Sequence, residues 1–153
     1  MARQSFKVEG LKDLETALLD LPKATARNVM LRTLKEQGAP IRDAGEANAP
    51  KLSGKLKLSY AISTKLSRRQ KSLNKKQSPV EVYIGPGPHP KGVQTEFGNA
   101  HQRAEPHLRP AFDAKVRLVL DGIKVSLAGQ IEKARARLAR KAERLAAKIA
   151  AGQ

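Results

Sequence analysis

The sequence predicts an α+β domain: a small antiparallel sheet with a long β-hairpin, packed by two to three helices, plus a basic helical extension at the C-terminal end. Three observations carry this reading. Leu11, Leu14, Leu18 and Leu21 recur at spacings of three and four. Two short alternating segments, residues 56–62 and 80–84, flank a long polar stretch. Ile131, Leu138 and Leu145 repeat every seven residues on a background of Ala, Lys and Arg.

Ser5-Phe6-Lys7-Val8-Glu9 alternates apolar and polar residues, as a half-buried strand does, and Gly10 ends it. The leucine run that follows is one face of a helix. Pro22 suits the start of a second helix, whose apolar positions continue through Val29, Met30, Leu34, Ile41 and Ala44. Pro40 lacks a backbone donor and crowds the preceding turn, so a kink or break is expected there. The pattern stops at Asn48-Ala49-Pro50, and Lys51-Leu52-Ser53-Gly54 reads as a loop.

Leu56, Leu58, Tyr60 and Ile62 alternate with polar residues and predict a strand. Val80-Glu81-Val82-Tyr83-Ile84 predicts its partner. Residues 67–78 then form a basic hairpin tip, too polar to bury. Gly85-Pro86-Gly87-Pro88-His89-Pro90 predicts a rigid, irregular turn. It lacks the successive free N–H groups of a phosphate-cradling loop. Thr95-Glu96-Phe97-Gly98 and Pro106-His107-Leu108-Arg109-Pro110 predict a fixed loop. A helix carrying Phe112, Val116, Val119, Ile123 and Leu127 follows from Pro110. The final basic segment reads as a separate helix or a continuation past Gly129, which divides the chain into a domain over residues 1–128 and an extension over 129–153.

Composition bounds the function. The chain has 153 residues, five of them aromatic (three Phe, two Tyr), so its core is small and docking on other subunits would help it. The absence of cysteine excludes disulfides and thiolate metal sites and fits a reducing compartment. No segment approaches the run of about 20 apolar residues that spans a bilayer, and no export signal is evident, so no membrane partner is expected.

Net charge is +16, and it is segregated. Residues 1–46 hold 8 basic and 7 acidic side chains, and residues 47–80 hold 9 and none. Residues 81–130 hold 6 and 5, and residues 131–153 hold 7 and 2. Two nearly acid-free segments of this kind face a polyanion or form a solvated basic face. The candidate contacts to DNA or an acidic partner are Lys65, Arg68, Arg69, Lys71, Lys75 and Lys76 in the first segment. In the second they are Arg135, Arg137, Arg140, Lys141 and Arg144.

No catalytic constellation stands out, and no cofactor or metal is expected. His89, His101 and His107 sit in loops at spacings that are not those of metal ligands, and read better as loop anchors or exposed imidazoles. Glu96 and Glu105, near His101 and Arg103, are the nearest thing to a hydrolytic set. Glu96 is as easily a helix-end residue pairing with a basic neighbour.

Three blocks resemble a known family. The first is Val8-Glu9-Gly10-Leu11-Lys12-Asp13-Leu14, and the second joins Ala49-Pro50, Ser53-Gly54, Leu56, Ser59 and Ile62. The third is Glu96-Phe97-Gly98 with Pro106-His107-Leu108-Arg109-Pro110-Ala111. In this order they resemble the neck, or tail-completion, proteins of long-tailed bacteriophages, which include the minor tail protein Z-like proteins. The likeness covers about residues 5–125. Lys51 stands where the family has an acid, and His107 where it has an aromatic.

The resemblance implies a virion protein at the head–tail junction, made in the host cytoplasm and not an enzyme. It would act as a homo-oligomeric ring, a hexamer or dodecamer, with other neck and tail proteins as partners. Pro50, Gly54, Leu56, Glu96, Phe97, Gly98, Pro106, Leu108, Arg109 and Pro110 would then be structural and subunit-contact residues. Two other readings stay open: a sequence-independent nucleic-acid-binding protein, and a small metal-dependent nuclease using Glu96, Glu105 or His101.

Overall fold

The computed structural model describes residues 11–51 and 54–151. The strand expected at residues 5–9, the start of the first resemblance block, and the expected loop residues Leu52 and Ser53 lie outside them. Among the described residues the chain is mostly helical, with a two-stranded antiparallel sheet and a long C-terminal helix. Its elements in order are α1 (Leu11–Leu19), α2 (Lys23–Gln37), α3 (Ala39–Asn48), α4 (Lys55–Leu58) and β1 (Tyr60–Ser63). Then come α5 (Arg68–Leu73), β2 (Tyr83–Pro86), α6 (Pro90–Phe97) and α7 (Leu108–Ala150).

The 43 residues of α7 form the spine, and α1, α2 and α3 pack along it. Toward its middle, Leu127, Ile131 and Ala134 meet Leu21 and Val29, with Leu14, Leu18, Met30 and Leu138 closing around them. At its beginning, Leu108 packs on a second cluster of Ala49, Leu56 and Tyr60. Aliphatic residues make up most of both clusters, as the composition requires. The expected break near Pro40 falls at Gly38, and Pro40 sits in the first turn of α3, where its missing N–H costs nothing. The helix runs through Gly129 without interruption, and Ile131 and Ala134 beyond it are buried.

Several local expectations are corrected. The strand predicted from Leu56 begins instead with one helical turn, α4, entered through Gly54 at φ +70. A strand would put residues 56, 58 and 60 on one face. In the structure Leu56 and Tyr60 are buried while Leu58 is 84% exposed, the arrangement a helical turn produces. The second strand starts three residues later than predicted. Glu81 accepts hydrogen bonds from the backbone N–H groups of Gln77 (2.6 Å) and Ser78 (3.1 Å), which folds 77–81 into a turn and delays pairing.

In the sheet Tyr60 pairs with Pro86, Ile62 with Ile84 and Ser63 with Tyr83. Gly85 and Pro86 are therefore strand residues, not a turn, and Pro90 opens α6. The basic tip contains a helix. Ser67 and Gln70 form a reciprocal capping box at the start of α5, whose residues are all exposed. The fixed loop expected from Thr95 is also partly helical, because Thr95, Glu96 and Phe97 end α6.

Gly45 lies where α3 packs against Tyr60 of β1. A Cβ there would stand 2.6 Å from the Tyr60 ring. Alanine gains about 1 kcal/mol of helix propensity but overpacks a buried ring, which costs about 1–3 kcal/mol. Gly45→Ala is therefore expected to lower the melting temperature, measurable by thermal circular dichroism.

Candidate functional site

The second and third resemblance blocks meet where α7 begins. A helix leaves four N–H groups without intrahelical partners at its start. Here they are those of residues 107 to 110. Glu96 Oε2 accepts from the N–H groups of His107 (2.8 Å) and Leu108 (2.9 Å), and Oε1 accepts from Arg109 (2.9 Å). Residue 110 is proline and has no N–H. One carboxylate from the end of α6 therefore satisfies the whole N-terminus of a 43-residue helix. Burial alone would raise the Glu96 carboxyl, but the three N–H donors outweigh it and hold it below the ordinary carboxylate range.

Beside this cap lies a buried polar chain. His107 is 1% exposed. Its Nε2 is 3.0 Å from Thr95 Oγ1, and its Nδ1 is hydrogen-bonded to the Tyr60 hydroxyl. Thr95 has a single hydroxyl proton and donates it to the Lys91 carbonyl at 2.7 Å. It therefore accepts from His107 Nε2–H, which leaves Nδ1 to accept from Tyr60. Burial, and then the nearby Glu96 carboxylate, push the Tyr60 hydroxyl well above its usual pKa, so it remains a donor at neutral pH. With Nδ1 accepting from Tyr60, the 3.5 Å approach of Glu96 Oε2 to that nitrogen is a proximity, not an ion pair.

The rings of Tyr60 and His107 also meet edge to face, 5.7 Å apart at 71°. The imidazole thus combines a ring contact with two hydrogen bonds. Gly98, at φ +74, turns the chain out of α6, and a Cβ there would stand 2.9 Å from the Ala104 backbone nitrogen. The Glu105 N–H then donates to the Thr95 carbonyl at 2.7 Å and brings the link back to the site.

The other predicted site residues divide clearly. Leu56 is buried, Leu108 is half-buried against the same cluster, and Pro50 is half-buried. Gly54 supplies the left-handed turn before α4. Phe97, expected as a structural or subunit-contact residue, is 76% exposed, and Val93 one turn earlier is 67% exposed on the same side of α6. Pro106 is exposed, and the Arg109 guanidinium is solvent-facing; its backbone N–H, not its side chain, meets the carboxylate. Lys65, Arg68, Arg69, Lys71, Lys75 and Lys76 are exposed on the hairpin. Arg135 is engaged within the chain, with Asp20 at 3.2 Å and Glu132 at 3.4 Å. Arg137, Arg140, Lys141 and Arg144 are exposed and enter no ion pair among the described residues.

As a hydrolytic set these residues are poorly placed. Both Glu96 oxygens are taken by backbone donors, while Glu105 and His101 face solvent. No group of three or more His, Asp or Glu residues able to hold a metal ion occurs among the described residues. No described helix is long and apolar enough to cross a membrane. The arrangement does one thing well: it locks α6, β1 and the start of α7 into a fixed geometry.

The sequence marks Glu96 and His107 as residues of one loop region but does not show Tyr60 and Thr95 as their partners. The available signal was Pro110. A proline at the third helical position marks a helix start, and a carboxylate upstream is then a candidate cap. Comparison with protein-family models, curated proteins and solved structures finds no match for this chain.

Proposed function

We propose that this chain is a structural subunit of a tailed-phage neck, a tail-completion protein forming a homo-oligomeric ring at the head–tail junction. The observation that supports it most is the convergence of the second and third blocks. Ala49, Leu56, Tyr60, Glu96, His107 and Leu108 are far apart in sequence yet form one rigid junction. Residues so placed hold a shape; they have no free functional group to offer a substrate.

A ring needs a second feature, a patch that each subunit presents to the next. Val93 and Phe97 project from α6 beside the junction and lack cover. They, with Arg109, are the contact edge in this reading, held in register by the junction behind them. Six or twelve copies would close the ring, and other neck and tail proteins would meet its two faces. The basic hairpin and the end of α7 would then face what is acidic in the particle. The virion is its location, after synthesis in the host cytoplasm.

Negative-stain microscopy and native mass spectrometry of the purified chain test the ring. Closed rings of one stoichiometry are expected. Val93→Ser with Phe97→Ser is expected to abolish them while shifting the melting temperature by no more than about 2–3 °C, since both side chains are exposed. A strictly monomeric chain that binds DNA would instead support the free nucleic-acid-binding reading.

A further inference from the structure

We propose that the last turns of α7 form an arm that lies along the phosphate backbone of duplex DNA and reads charge, not sequence. This rests on the placement of charge and stands whether or not the subunit forms a ring.

From Ala139 to Ala150 every residue is exposed, so about 18 Å of helix extends beyond the packed body. At about 100° per residue, Lys133, Arg137, Arg140, Lys141, Arg144 and Lys148 fall within one arc of about 100°. All six are exposed, and none is in an ion pair among the described residues. The two acids of this region, Glu132 and Glu143, lie about 110–130° from the centre of that arc. The basic residue that leaves the stripe, Arg135, is the one that pairs with Asp20 and Glu132. The helix therefore sorts its cations: one ties the arm to the body and six form a continuous ridge.

The ridge is about 22 Å long. Over that distance each strand of a duplex presents about six phosphates, one per 3.4 Å. Three alternatives fit less well. A membrane surface needs a bulky apolar face, but beyond Leu138 the arm offers only Leu145 and Ile149 among alanines, with no aromatic. Pairing with the arm of a second copy would bring Lys141 and Lys148, which flank that thin seam, against like charges. The hairpin carries comparable charge, but on the six-residue α5 Arg69 lies about 100–160° from Arg68 and Lys71, and Glu81 lies near Lys76. Its charges do not form a line.

Fluorescence anisotropy of the full chain with a mixed-sequence 25-base-pair duplex, across a salt series, tests the arm. Six phosphate contacts predict a slope of log K against log salt of about −5. Arg137→Gln, Lys141→Gln and Arg144→Gln together keep a good helix former at each exposed position. They are expected to make the slope shallower by about 3 and to weaken binding at least about tenfold. Arg68→Gln, Arg69→Gln and Lys71→Gln together are expected to change the slope by less than about 1. Three results would each overturn the proposal. The first is no DNA binding by the wild type, and the second is an arm variant that keeps its slope with unchanged helicity and melting temperature. The third is binding of phosphatidylglycerol vesicles as tight as binding of the duplex at equal salt.

Discussion

His107→Ala is expected to destabilise the fold by about 3–5 kcal/mol, the largest loss from any single side chain at the junction. Two effects add. A ring that is 1% exposed leaves a cavity that the surrounding helices cannot fully close. The Tyr60 hydroxyl and the Thr95 hydroxyl also each lose a partner inside the protein. A domain of this size is stable by about 5–15 kcal/mol in total, so the melting temperature should fall by roughly 10–15 °C. His107→Phe separates the two effects, because it restores the volume and the edge-to-face contact but neither hydrogen bond. An intermediate loss of about 2 kcal/mol is expected. Adding Tyr60→Phe to that variant should cost almost nothing further, since the hydroxyl it removes no longer has a partner. Urea denaturation of the four proteins of that cycle measures the coupling directly. Full additivity would mean that Tyr60 and His107 do not act as a pair.

Glu96→Ala comes next, with an expected loss of about 2–4 kcal/mol, because three N–H groups at the start of α7 lose their acceptor together. Glu96→Gln keeps the shape and part of the accepting capacity and should cost less. This pair also carries a pH signature. The folded carboxyl lies below its ordinary value despite its burial, held there by the N–H donors. On lowering the pH, the unfolded chain therefore takes up the proton first. The stabilisation is complete above the unfolded carboxylate value of about 4.3 and disappears as pH falls through the lower folded value. The stability gap between wild type and Glu96→Gln should be constant from about pH 6 to 8 and close in acid. A gap that widened in acid would show that the charge of Glu96 is not what holds the helix start.

The helices were the most legible part of the chain, for a physical reason. Leu14, Leu18 and Leu21, or Val116, Val119 and Leu127, span several turns, and that length separates a period of 3.6 from a period of 2. The break near Pro40 was legible because proline acts locally. The strands were harder. Over residues 56–60 the two periods agree at the ends and differ only at Leu58, so one exposed leucine decides between helix and strand. The delay of β2 depends on Glu81 bonding to backbone four residues away, which no periodicity records.

At the site, Gly98 and Pro110 announced a turn and a helix start, and Glu96 was readable as a helix-end residue. Its actual role, capping a different helix, needs the chain to double back through residues 99–106. The partnership of Tyr60, Thr95 and His107 joins residues 12 and 47 apart in sequence, and only the fold makes them neighbours. The outward position of Phe97 has the same origin: α6 is short and its buried side is taken by Gly92 and Thr95, which leaves Phe97 on the open side.

The junction is proposed to serve a ring at the head–tail boundary. Cryo-electron microscopy of virions, with an antibody or a fused tag marking the subunit, locates the chain in an assembled particle. Symmetric density between the head and the tail is expected, with Val93 and Phe97 covered by the neighbouring copy. Intact, infectious particles that lack the chain would contradict it.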